Sequence, residues 1–273
     1  MENMKQKSYP SVGQSWGIVG IAILAQLILA PVYTGVTSSM DKDLALLFYY
    51  VLTIGGAFAY AHYIRKKETG IDNYPVSKGS LKLILLVSIF TIVMAIGVTN
   101  PIASLIPMPD FFREAFEQMM GEKSIFSFLT IAVAAPILEE LIFRGVILDG
   151  LLKKYTPQRA IFISSFLFAF LHLNPWQFVA AMAIGAFSGY IYYKTNNLLF
   201  CVIIHFANNG FAFILSLFEG GEEQIDMSLI EAYGGVTNAI LVIGGCIIVG
   251  LVCLGFIKKE LNSSVKEEEK ELV

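Results

Sequence analysis

Ala135-Pro136-Ile137-Leu138-Glu139-Glu140-Leu141-Ile142-Phe143-Arg144-Gly145 sets two adjacent carboxylates and an arginine inside an otherwise apolar run that extends from Ser124 to Leu152. A run of that length reads as a membrane-spanning helix, which needs about 20 apolar residues. A charged side chain at the centre of such a helix costs roughly 2.5–3.5 kcal/mol on insertion scales. Three charges within six residues therefore imply a polar function inside the bilayer, because packing alone does not call for them.

Outward from this stretch the chain keeps the same character. It is 56% hydrophobic and only 15% charged, with a mean hydropathy of +0.66 over 273 residues. The apolar runs predict an all-α polytopic transmembrane bundle of about eight spans, since lipid-exposed backbone must be satisfied within each segment. They are residues 16–36, 44–63, 81–98, 124–152, 159–173, 177–193, 198–218 and 236–257. The fifth and sixth are short, and the count becomes seven if Asn174-Pro175 is only a tight turn. Residues 1–123 then form N-terminal spans plus an interfacial amphipathic segment (Asp110–Met120), 124–218 a catalytic core, and 219–273 an acidic outer loop, a last span and a charged tail.

Basic residues alternate across these crossings, as the positive-inside rule requires. Lys5, Lys7, Arg65, Lys66, Lys67, Lys78, Lys82, Lys153, Lys154, Arg159, Lys194, Lys258, Lys259, Lys266 and Lys270 fall on one side, and only Lys42, Arg113 and Lys123 on the other. Both termini are accordingly expected in the cytosol, in a bacterial plasma membrane. The net charge of −3 says little about partners, because the charge is sorted by side. The lipid bilayer is one expected partner, and nothing resembles a P-loop or a nucleic-acid surface. Cys201, Cys246 and Cys253 lack paired spacing and read as packing residues. Gly185-x-x-x-Gly189 permits close helix contact, expected within the chain.

Two of the three histidines, His172 and His205, also lie in apolar segments, as Phe168-x-x-x-His172 and His205-x-x-x-Asn209. Residues four apart share a helix face. Glu140 therefore sits beneath Arg144 and can offset its charge, while Glu139, rotated by about 100°, points elsewhere. At 1.5 Å per residue, Glu139 and His172 each lie roughly 20 Å from the basic face, His205 roughly 10 Å and Asn209 about 16 Å. The four groups can meet at one level, between mid-bilayer and the cytosolic face. Carboxylates withdrawn from water make good general bases, so a glutamate and a histidine around a water could direct its attack on an amide carbonyl. A second histidine and an amide suit oxyanion stabilisation. Two histidines and a glutamate (Glu139, His172, His205) equally match a catalytic zinc set with one open position, although no HExxH motif occurs.

The three motifs, in this order on successive transmembrane segments, resemble the CPBP family of intramembrane proteases (CAAX proteases and bacteriocin-processing enzymes, also called the Abi family). The resemblance covers about residues 125–218. It implies an endopeptidase with Glu139 as catalytic base and His172 helping to hold the water. His205 and Asn209 would form the oxyanion site, with Glu140, Arg144 and Phe168 in support. The expected partner is a membrane-associated peptide or protein substrate, processed at a CAAX-type tail or a leader peptide. No cofactor is required in the preferred metal-free reading, with zinc as the alternative. The competing function is a non-proteolytic membrane protein of the same fold, acting in bacteriocin immunity or cell-envelope regulation.

Overall fold

The computed structural model describes residues 8–109, 111, 123–218 and 229–271, with side chains to residue 263. It is 83% helical and contains no strand among those residues. The principal helices are α1 (Val12–Val36), α2 (Lys42–Thr69), α3 (Leu81–Ser104), α4 (Ile125–Leu152), α5 (Pro157–Leu171), α6 (Pro175–Thr195) and α7 (Leu198–Phe218). A single turn, α8 (Leu229–Ala232), precedes the long α9 (Val236–Glu271). Six of these, α1, α2, α3, α4, α7 and α9, are long and apolar enough to cross a membrane. The protein is an all-α integral membrane bundle. The amphipathic segment expected over 110–120 and most of the acidic outer loop lie outside the described residues.

The helix ends follow their capping chemistry. Ser11 and Gln14 form a reciprocal capping box at the start of α1, and the Asp41 carboxylate accepts from the Leu44 amide at the start of α2. Gly70 ends α2 with a left-handed φ of 76°, which glycine adopts without strain. Asn174 caps α6 and Pro175 fills its first turn, where a missing N–H costs nothing. Asn174-Pro175 thus starts a helix as well as making a turn. The antiparallel pair α5–α6 reaches the end of α3, where the Trp176 indole donates to the Ile106 carbonyl over 3.0 Å.

Helix α4 is central, packed by α2, α5, α6 and α7, while α9 leans mainly on α3. Phe143, Val146, Ile147, Leu148 and Leu151 of α4 are fully enclosed. Large apolar side chains on the outside, among them Leu27, Ile28, Phe48, Ile240 and Leu251, face the lipid. Gly185 and Gly189 bring α6 against Ser165 and Ile161 of α5, so the small-residue pair is used within the chain.

Loops expected on one side of the membrane touch one another. On the basic face Arg65 pairs with Asp149 at 3.3 Å, Asp149 with Lys153 at 2.7 Å, and Lys82 with Glu260 at 2.7 Å. There too the Asn197 amide donates to the Ser77 carbonyl over 3.0 Å. On the opposite face the Ser124 hydroxyl donates to Asp43 over 2.5 Å, Lys123 to the Ser216 carbonyl, and Tyr233 to the Ile96 carbonyl over 2.6 Å.

The N-terminal segment is wedged onto the basic face. Tyr9 is buried there, and burial pushes its hydroxyl up to about 12. A Cβ on Gly150 would stand 2.1 Å from the Tyr9 carbonyl oxygen. Gly150→Ala is therefore expected to destabilise the protein by about 1–3 kcal/mol. Gly20→Ala, where no atom comes within 4 Å, should instead stabilise α1 by up to about 1 kcal/mol. Thermal melts in detergent should move in opposite directions.

Candidate active site

The site begins with a break in α4. Pro136 has no N–H, so within the central helix it leaves a carbonyl without its partner. The chain responds with wide turns: Leu129–Ala134 and Leu141–Leu148 are π-helical, flanking the α-helical Ala135–Glu140 that carries both carboxylates. Such turns collect at functional sites. In an i→i−5 pattern the missing N–H of Pro136 would have served the Ile131 carbonyl. The Asn209 amide donates to that oxygen over 2.9 Å, and its own side-chain carbonyl accepts from Asn208 over 3.0 Å.

Glu140 and Arg144 form the expected pair, Nη1 to Oε1 at 2.8 Å, both fully enclosed. The same carboxylate accepts from the Ser188 hydroxyl of α6 over 3.1 Å and meets His205 Nδ1 of α7 at 3.1 Å. One buried carboxylate therefore ties three helices together, with enough donors to satisfy it. The Arg144 guanidinium lies 4.7 Å over the Phe168 ring, a cation–π contact strengthened by exclusion of water. The edges of Phe168 also meet His172 and His205, each at 5.3 Å between ring centroids. Phe168 is thus the floor on which arginine and both histidines rest.

Glu139 is 6% exposed, points away from Arg144 and is not left bare. The Tyr50 hydroxyl of α2 donates to its Oε1. His205 Nε2 stands 3.7 Å from its Oε2. His205 thus lies between the two glutamates, one ring nitrogen towards each. His172, at the end of α5, bonds through Nδ1 to the Phe168 carbonyl over 3.1 Å. A carbonyl only accepts, so Nδ1 carries a proton, and in the neutral ring Nε2 is the nitrogen with the lone pair. His62, the third histidine, bonds Tyr74 at 2.9 Å away from this cluster.

Depth follows from the two ties between α2 and α4. Glu139 lies roughly 15 Å along α4 from Asp149 on the basic face and roughly 22 Å from Ser124 on the other, at 1.5 Å per residue. The carboxylates are near mid-membrane, slightly towards the basic side. Beside them an apolar groove of about 370 Å³ opens between α2 and α4, lined by Leu47, Val51, Leu129, Val133, Ile137 and Leu138.

Among the described residues, no group of three or more His, Cys, Asp or Glu side chains is arranged to hold a metal ion. His172 and His205 each hold Nδ1 to an oxygen, of Phe168 and of Glu140, which leaves Nε2 as the remaining ring nitrogen of each.

Tyr50 and Ser188 are site residues that sequence reasoning misses. Tyr50 is expected to hold and orient the Glu139 carboxylate. Tyr50→Phe removes one hydrogen bond to a charged group, worth about 1.5–3 kcal/mol. The expected result is a roughly 10- to 100-fold fall in kcat with KM unchanged, checked by peptide hydrolysis.

Fold and cluster together define a polytopic membrane protein with a carboxylate–histidine site in its interior. Residues 121–211 match the family model described as type II CAAX prenyl endopeptidase Rce1-like, consistent with the CPBP family. The match contains all seven residues singled out by the motifs, and at the level of the family it is to CAAX-type intramembrane endopeptidases. No curated protein and no solved structure matches the chain.

Proposed function

We propose that the protein is an intramembrane endopeptidase that hydrolyses a peptide bond in a membrane-associated peptide or protein, with Glu139 as general base. The observation that carries this reading is the difference between the two carboxylates. Glu140 is saturated by Arg144, Ser188 and His205, whereas Glu139 has a neutral tyrosine donor and a histidine edge. A base must be able to take up a proton, and only Glu139 is held in a way that leaves it that capacity. In this reading His172 offers the Nε2 lone pair to the same water. The second amide hydrogen of Asn209 stabilises the oxyanion, joined by His205 Nε2 when that nitrogen carries a proton, because Nδ1–H is given to Glu140.

No metal is required in this reading, in which Glu139 alone takes the proton of the attacking water. The basic face is assigned to the cytosol by the positive-inside rule, in a bacterial plasma membrane. The groove between α2 and α4 gives an apolar flank of the substrate a lateral approach to Glu139.

The test is hydrolysis of a panel of fluorogenic peptides, prenylated, leader-like and membrane-spanning, by purified protein and its Glu139→Ala variant. Cleavage by the parent alone supports the reading. Cleavage that persists in the variant overturns the mechanism. A cellular phenotype that survives the mutation while neither protein cleaves would favour the immunity or envelope-regulation alternative. Loss of activity on chelation, restored by zinc, would overturn the metal-free assignment.

A further inference from the structure

Hydrolysis near the middle of a bilayer needs water there, and three buried atoms indicate its route. Among the described residues, the buried side-chain nitrogens and oxygens without a hydrogen-bond partner are Arg144 Nε, Arg144 Nη2 and the Tyr192 hydroxyl. Buried polar groups are otherwise nearly always satisfied, and unpaired ones in a polar setting are the usual seats of buried water. Arg144 and Tyr192 are among the largest fully enclosed side chains of the protein, so bulk solvent does not reach them over an open surface.

These atoms belong to an ordered arrangement. Helices α4, α6 and α7 each present two polar residues one turn apart: Glu140 and Arg144, Ser188 and Tyr192, His205 and Cys201. The upper rung is closed by direct bonds from Ser188 and His205 to Glu140. The lower rung, Arg144, Tyr192 and Cys201, is not. Cys201 lies within electrostatic reach of both Glu140 and Arg144, and its thiol faces the Ser188 carbonyl at 3.5 Å. The Tyr192 hydroxyl lies close enough to the Asp149 carboxylate for a weak hydrogen-bonding interaction, though outside full hydrogen-bond geometry, and within electrostatic reach of Cys201. Asp149 is 18% exposed at the basic face, where Arg65 and Lys153 hold it. From Glu140 to Asp149 is roughly 13 Å along α4.

We infer that α4, α6 and α7 enclose a hydrated shaft running from Asp149 past Tyr192, Cys201 and Arg144 to the buried carboxylates, through which the site receives water from the basic face. Water in the lower rung satisfies the three orphan donors. It also places a mobile supply one ring away from Glu139, since His205 spans the two glutamates. This rests on the hydrolytic reading for its purpose, but the water itself does not depend on that reading.

The test is X-ray radiolytic labelling of the full chain in detergent, after rapid mixing with ¹⁸O-water. It is run on the parent, on Glu139→Gln and on Tyr192→Phe. Hydroxyl radicals made from bound water mark the residues that touch it. Tyr192 should be modified at least tenfold faster than Phe143, an equally buried aromatic of the same core, with ¹⁸O incorporated within the mixing time. Glu139→Gln should label identically even if it cleaves nothing, which separates the shaft from the protease assignment. Tyr192→Phe should lower labelling of Cys201 several-fold without moving the melting temperature. Labelling of Tyr192 no faster than Phe143, or by ¹⁶O that does not exchange, would overturn the shaft.

Discussion

Replacing Glu139 by glutamine is expected to remove peptide hydrolysis while leaving the fold intact. The substitution keeps the shape and the bond from Tyr50, because the amide carbonyl still accepts. It removes the ability to take a proton, and loss of a general base lowers kcat by about 10²–10⁴-fold. Among the described residues neither arginine nor lysine pairs with Glu139, so the substitution orphans no such cation and the melting temperature should hold or rise. Substrate binding through the apolar groove should survive, giving the kcat loss at nearly constant KM. A folded variant that cleaves at the parental rate would show that the carboxylate is not the base.

Six of the eight expected spans are long and apolar enough to cross, because lipid permits few structures, whereas residues 159–173 and 177–193 form helices α5 and α6 outside that set. Loops expected on one side do touch one another. The division of the charged cluster is legible as well. Four-residue spacing puts Arg144 on Glu140, and that is the pair observed. What the sequence hides is the far end of each long-range bond. Tyr50 lies 89 positions from its partner Glu139, and Ser188 lies 48 from Glu140. A serine or threonine in a membrane helix ordinarily bonds the carbonyl one turn back, as Thr91 does with Val87 and Ser165 with Ile161. Nothing local distinguishes Ser188 from these.

Asn209 is a subtler case. Its place in the motif is visible, but its bond to Ile131 exists only because Pro136 and the π-helical turn before it open a carbonyl in another helix. The expected depth of Glu139, between mid-bilayer and the basic face, agrees with the cross-ties. The spacing also turns Glu139 away from Arg144, but it does not reveal the donor that this carboxylate finds. Tyr50 supplies a neutral donor, which holds the carboxylate without cancelling its charge.

The largest stability effect is expected at Arg144. Its removal in Arg144→Ala would leave Glu140 buried with its charge uncompensated, and breaking a buried pair from one side costs about 3–5 kcal/mol. It would also open a cavity beneath Phe168, on which both histidines rest. The protein should melt far lower in detergent or fail to accumulate. Glu140→Gln alone should be severe as well, since Arg144 already carries two unpaired donors and would lose the carboxylate it pairs with. The double variant Glu140→Gln, Arg144→Met removes both charges together and keeps the volume. Replacing a whole buried pair by neutral groups is often neutral or better. It should recover most of the lost stability, a favourable coupling of at least about 2 kcal/mol in the double-mutant cycle. Activity should nevertheless stay low in the recovered protein. His205 Nδ1 would have lost the carboxylate that orients its ring towards Glu139, and a glutamine carbonyl is a weaker acceptor. Stability and activity therefore separate in this one variant. Additive melting losses would mean that the pair is not a unit, and full activity would mean that Glu140 does not position His205.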